Sequence, residues 1–177
     1  KAGQAYLQMV GARLAGAGRS VDRAPLNIIW AGLIHRAMPQ ARIVGLRRHP
    51  MDACMETYRR LLPTDPSFDY AYDLTHTAAY YAGFERLMAH WRQVLPAERF
   101  TAVALEDLVA DPEGETRRLL DFCGLDFDPN CLAQGSAAAP GGSALMATHA
   151  NSIGRWRSYG PGLAPLREAL ESAGVRL

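Results

Sequence analysis

The order of apolar patterns along this chain, strand, helix, strand, helix, predicts an α/β fold. The expected form is a parallel sheet flanked by helices, helix-rich and incomplete at its N-terminal side. Three observations predict it. A brief β-branched run, Arg42-Ile43-Val44-Gly45-Leu46, passes straight into a helical pattern at Pro50. A second run, Phe100 to Leu105, leads into another helix at Asp111-Pro112. The 177 residues, 49% hydrophobic and 21% charged, suit one compact domain over 1–177 with a sizeable core. Two strands alone make an incomplete sheet, and the chain moves from Lys1 directly into a helical pattern, so further strands are expected upstream.

The elements follow in order. Tyr6, Leu7, Val10 and Leu14 recur at helical spacing over Gln4–Ala15, and Gly16-Ala17-Gly18 stops the pattern. Asn27 is a candidate cap for a second helix from Ile28 to Met38, which Pro39 ends. The run at 42–46 reads as a buried parallel strand. Pro50 suits the first turn of the next helix and Asp52 its N-terminal end, with Cys54, Met55, Tyr58 and Leu62 continuing an apolar stripe. After a proline-bearing loop at 63–67, Leu74, Ala78, Tyr81, Met88 and Trp91 predict a long amphipathic helix over Tyr70–Val94. Gly124 is the stop for the helix opened by Asp111-Pro112. A Gly/Ala/Ser loop at 133–143 and a closing helix over Leu163–Ala173 complete the chain.

Composition excludes several classes. Nineteen basic and eighteen acidic residues leave a net charge of +1, too little to hold a nucleic acid or an anionic membrane through a global field, so any anion site is local. Cys54, Cys123 and Cys131 lack metal-ligand spacing and read as buried thiols of a reducing cytosol. With neither a membrane-length apolar run nor a signal pattern, the expected location is cytoplasmic. There is no Gly-x-Ser-x-Gly elbow, no Walker loop and no zinc-ligand pattern, so hydrolase, phosphoryl-transfer and metal readings all lack their residues.

The chemistry concentrates at Arg47-Arg48-His49-Pro50. Two guanidinium groups close a strand where ligands of α/β folds bind, just ahead of a helix start whose N–H groups and dipole favour a phosphate. Arginine is the side chain suited to bidentate phosphate contact. The other reading is a salt-bridge cluster, with Arg48 paired to Asp52 or Glu56. His49 and His35 read as structural, and the tyrosines with Trp91 as core.

The strings Asp22-Arg23-Ala24-Pro25-Leu26-Asn27, Gly32-Leu33-Ile34-His35, Pro39-Gln40-Ala41-Arg42-Ile43 and Arg48-His49-Pro50-Met51-Asp52 form an ordered set. Downstream come Tyr70-Ala71-Tyr72-Asp73-Leu74, Leu87-Met88-Ala89-His90-Trp91, Glu106-Asp107-Leu108-Val109, Cys123-Gly124-Leu125 and Ser152-Ile153-Gly154-Arg155-Trp156. Together they resemble the bacterial sulfotransferases often fused to tetratricopeptide repeats. The resemblance implies a sulfotransferase-like (P-loop NTPase-like) fold and transfer of a sulfuryl group from 3′-phosphoadenosine 5′-phosphosulfate (PAPS), without a metal, to a hydroxyl or amine of a small-molecule or peptide acceptor. It implies that Arg48 binds the nucleotide's 3′-phosphate, that Arg23 is the cation near the sulfuryl group, and that Ser152, Gly154 and Arg155 belong to a loop folding over the 3′-phosphate. Catalysis would be in-line displacement at sulfur, by positioning and cationic stabilisation with a base for the acceptor.

Several positions depart from the family's pattern, among them Arg23, where relatives usually have a lysine, Glu56 and Leu105. Where relatives have a phosphate-binding serine, eight residues after the arginine, this chain has Glu56. A carboxylate at about 4 Å from a phosphate repels it by roughly 4 kcal/mol at an effective dielectric near 20, against about 1 kcal/mol for the lost hydrogen bond, unless Glu56 turns away or pairs with Arg48 or Arg60. Leu105 replaces the tyrosine that packs near the adenine, which keeps apolar contact and loses stacking. The 5′-phosphosulfate loop is not in this sequence. The alternative function is therefore a degenerate, non-catalytic sulfotransferase-like interaction domain.

Overall fold

The computed structural model describes residues 2–11, 19–60, 66–133 and 151–177, which cluster into two compact units. The first comprises 1–45 and 87–101, the second 46–86 and 102–177.

In the first unit, helix α1 (Ala2–Gly11) carries the start of the predicted first helix, whose remainder and glycine stop lie outside the described residues. The second predicted helix is corrected. Pro25–Ile28 form a 3₁₀ turn, and α2 (Ala31–Ala37) starts only after Trp30. Asn27 caps no helix because it lies inside that 3₁₀ turn, with Trp30 at the N-cap position of α2; its side-chain amide donates to Asp22 Oδ1 at 2.9 Å. That carboxylate also accepts the Tyr6 hydroxyl at 2.7 Å and the Ala24 N–H at 3.0 Å, so Asp22 ties Tyr6 of α1 to the 24–27 turn, and these bonds lower its pKa, the Tyr6 bond foremost. Trp91 closes the unit by donating its indole N–H to the Ile28 carbonyl at 2.7 Å.

Strand β1 (Ile43–Arg47) falls where the β-branched run predicts it, but it is not the buried strand expected: Val44 and Leu46 are exposed and only Gly45 is buried. Helix α3 (Pro50–Arg59) follows, with proline at its first turn. The long helix is shorter than its apolar spacing suggests: Pro66–Tyr72 is 3₁₀, and α4 spans Leu74–Val94. Tyr70 and Tyr72 therefore precede it. Strand β2 (Phe100–Ala104) pairs with β1 in a two-stranded parallel sheet, and Leu105 opens α5 (Leu105–Ala110) instead of ending the strand. In α6 (Pro112–Cys123) the predicted stop is explicit, since Gly124 adopts φ 63°, ψ 46°, a left-handed cap that glycine enters without steric cost. A short α7 (Asn130–Ala133), unmarked by the sequence patterns, comes next; most of the predicted loop at 133–143 lies outside the described residues. A 3₁₀ segment, Arg155–Leu163, leads into α8 (Ala164–Ser172), the expected closing helix.

The core of the second unit joins Met51, Cys54 and Met55 of α3, Ala78 and Tyr81 of α4, and Leu163, Leu166 and Leu170 near the chain end. Each such leucine contributes about 1.5–3 kcal/mol of burial. The cysteine expectation needs correction: Cys54 is buried, but Cys123, at the end of α6, a helix with no buried residue, is half-buried, and Cys131, on the four-residue α7, is exposed.

Candidate functional site

The end of β1 delivers Arg47 and Arg48 into the second unit, and the two differ. Arg47 is neutralised by Glu85 on α4, donating from Nε to Oε1 at 3.2 Å and pairing a second time through Nη2. Arg48 takes a backbone partner instead, donating from Nη2 to the Ser152 carbonyl at 2.9 Å. The acids that could have neutralised it are engaged elsewhere. Asp52 accepts backbone N–H groups, and Glu56 pairs with Arg60, Nε to Oε1 at 3.4 Å. The Nε of Arg48 is buried and has no hydrogen-bond partner among the described residues.

Three contacts fix the backbone around it. The Tyr81 hydroxyl lies 2.7 Å from the Arg48 carbonyl and 3.1 Å from Glu85 Oε1, and burial with the adjacent Glu85 pushes its pKa up. Glu106, at the start of α5, accepts the His49 N–H at 2.8 Å. His49 has the structural role expected of it, accepting the Met51 N–H on Nδ1 at 3.3 Å and so capping α3. The helix start is thus partly satisfied by its own cap, and it offers a ligand fewer free donors than the sequence suggests.

A cavity of about 330 Å³ opens beside Arg48, within the size range of small-molecule sites. Its walls include Leu46, Leu105, Tyr70, Tyr80 and Phe84. Tyr70 and Tyr80 stack with ring centroids 3.8 Å apart and planes within 5°, and burial pushes the Tyr70 hydroxyl up to about 12. Cys54 also lines the cavity, its thiol pushed up to about 12 by burial, which leaves it a weak nucleophile.

The candidate residues thus separate. Arg48 and Ser152 meet directly, Leu105 shares the cavity wall with Arg48, and Gly154 (φ 71°) follows Ser152 on the same turn with its N–H donated to Asp52 Oδ2 at 2.6 Å. Arg155 is exposed, and Glu56 lies outside the cavity lining. Arg23 is exposed and belongs to the first unit. Sequence reasoning placed Trp156 in the Gly154-Arg155-Trp156 loop segment but missed its contacts, and it missed Asp52 as the acceptor for that loop. The Trp156 ring stacks on His49 at 5.6 Å, the Arg157 and Arg167 guanidinium groups lie over it at 5.0 and 5.4 Å, and its indole N–H is buried without a partner among the described residues. The available signal for Asp52 was an acid embedded in the apolar string Pro50-Met51-Asp52-Ala53-Cys54-Met55.

Chemically, this is an apolar pocket with aromatic walls beside one guanidinium that, among the described residues, has no acidic partner and whose buried Nε has no acceptor. Comparison with known proteins identifies the family. Residues 1–129 match the family model described as "Sulfotransferase family". The chain belongs to the sulfotransferase family. This sulfotransferase sequence is 26% identical over 182 residues to an uncharacterized protein of Aquifex aeolicus (strain VF5), covering 99% of this chain and 24% of that one. It is 29% identical over 103 residues to human heparan sulfate glucosamine 3-O-sulfotransferase 6, covering 52% of this chain and 30% of the relative. The chain therefore spans less than a third of the length of either curated relative. The solved sulfotransferase domain from the curacin biosynthetic pathway has the same fold, with a TM-score of 0.62, 18% identity, and coverage of 99% of this chain and 68% of that domain. Among the described residues of this sulfotransferase chain, no group of histidine, cysteine and acidic side chains could hold a metal, and no helix is long and apolar enough to cross a membrane.

Proposed function

We propose that this chain is the nucleotide-gripping part of a PAPS-dependent sulfotransferase, with Arg48 holding the 3′-phosphate. One observation carries the reading. Among the described residues Arg48 Nε is buried without an acceptor, a state that costs about 1–3 kcal/mol and that an anionic oxygen would relieve. Family membership supports the donor, since PAPS carries a 3′-phosphate that its unphosphorylated analogues lack.

When bound, PAPS supplies the sulfuryl group, whose bond to the 5′-phosphate oxygen breaks as a bond to the acceptor oxygen or nitrogen forms and the acceptor proton leaves. The residues here bind and orient. Arg48 offers a charge-assisted donor, the Leu105 wall excludes water, and Glu106, Tyr81 and the His49 cap keep the arginine backbone in place. The repulsion expected of Glu56 is answered by its pairing with Arg60. Arg23 is assigned to the sulfuryl end, and a hydroxyl or amine to the acceptor, on the resemblance of the sequence strings.

A second reading, a non-catalytic relative, is favoured by Glu56 and Leu105, which replace a phosphate donor and a stacking ring. Calorimetry with adenosine 3′,5′-bisphosphate separates the two. The enzyme reading expects salt-sensitive binding that Arg48→Ala weakens by about 10- to 100-fold, the equivalent of one hydrogen bond to a charged group. Absence of binding to the wild-type protein would leave the non-catalytic reading standing.

A further inference from the structure

We infer that Asp52 is a positioning residue for the Arg48 site: its carboxylate latches the 152–156 turn onto the first turn of α3 and thereby sets the orientation of the Arg48 guanidinium. This role rests on the 3′-phosphate reading above.

Asp52 is 3% exposed, and both of its oxygens are engaged by main-chain donors from far along the chain. Oδ2 accepts the Gly154 N–H at 2.6 Å across 102 residues, and Oδ1 the Trp156 N–H at 3.0 Å across 104. A buried carboxylate holding two N–H bonds is a strong, directional tie. The α3 N-terminus adds a favourable field for the charge. Gly154 makes the geometry possible, since its φ of 71° turns the chain so that two amides converge on one carboxylate. A phosphate therefore does not find these amides free; they are occupied by Asp52. The same turn presents the Ser152 carbonyl that takes Arg48 Nη2 at 2.9 Å. Arg48 is thus held at one edge of its fork by a turn that Asp52 holds, while its buried Nε has no partner among the described residues. Without the latch the carbonyl keeps its bond from the Arg155 N–H at 3.4 Å but the turn loses its tie to α3, and the guanidinium loses the orientation that distinguishes a nucleotide with a 3′-phosphate from one without.

The test measures that distinction. Calorimetry on the full-length protein compares adenosine 3′,5′-bisphosphate with adenosine 5′-monophosphate in wild type, Asp52→Ala, Asp52→Asn and Arg48→Ala, with circular dichroism confirming folding. The wild type is expected to prefer the bisphosphate. Asp52→Ala should lose that preference by about 10-fold while its monophosphate affinity stays within about 2-fold, a split that general loosening would not produce. Asp52→Asn, nearly the same size and retaining one acceptor oxygen, should restore part of the preference. If Asp52→Ala does not fold, the Asn variant carries the comparison. A folded Asp52 variant with the full wild-type preference, alongside an Arg48→Ala protein that has lost it, overturns the positioning role and leaves the nucleotide reading intact. A wild type that does not distinguish the two nucleotides overturns both.

Discussion

His49 joins three constraints in one residue. Its Nδ1 caps α3 by accepting the Met51 N–H, its ring stacks on Trp156, and its backbone N–H donates to Glu106. Burial lowers the imidazole pKa from 6.5, aided by nearby Arg157 and opposed by Asp52 and Glu106. With the folded value below the unfolded one, the unfolded chain takes up the proton first as pH falls. The stabilisation from His49 is therefore complete above about pH 6.5 and is lost as pH drops through the folded value. Protonation also removes the Nδ1 lone pair that caps the helix. Thermal melts of wild type should lose stability between about pH 7 and 5 more steeply than those of His49→Asn, which keeps a cap acceptor and does not titrate. Parallel slopes for the two proteins would show that His49 remains neutral, or titrates alike, in both states.

Helix boundaries were legible wherever the signal is local. Pro112 at the first turn, Asp111 accepting the Gly114 N–H at 2.9 Å, and Gly124 in the left-handed region frame α6 as its sequence suggests, and Leu125 N–H closes the end on the Leu120 carbonyl at 2.9 Å. Asp111→Ala should cost about 1 kcal/mol of unfolding free energy, measurable as a lower urea midpoint at unchanged slope. An unchanged midpoint would mean that water replaces the cap at no cost. Boundaries failed where a distant partner decides them. Asn27 looks like a cap, but it lies inside a 3₁₀ turn with its amide on Asp22, and apolar spacing around Tyr70 fits an α-helix as well as it fits the 3₁₀ segment where Tyr70 stacks on Tyr80. The first turn of α3 shows the same limit: Asp52 reads as a dipole partner, while its bonds to Gly154 and Trp156 depend on a fold that spacing does not encode.

At the scale of the second unit, Leu166 is the most direct test of what holds the site's helix in place. It is fully buried in the cluster that includes Met51, Cys54 and Met55 of α3, so Leu166→Ala should destabilise by about 2–5 kcal/mol through lost burial and the cavity left behind. Denaturant melts check this, and a change below about 1 kcal/mol would mean that α8 collapses onto the gap. The α/β class, the two strands and the family were all readable because order and alternation are properties of the sequence itself. The distinction between Arg47 and Arg48 was not, since neither position reveals which of two adjacent guanidiniums meets Glu85 and which meets a carbonyl 104 residues away. That span has a consequence for biosynthesis. A ribosome releases Arg48 and Asp52 long before it releases Gly154 and Trp156, so a nascent chain keeps this carboxylate hydrated and its arginine unguided until translation has passed the tryptophan. If Arg48 holds a 3′-phosphate as proposed, truncated translation products that end before Gly154 should lack nucleotide affinity however much of the sheet they have formed.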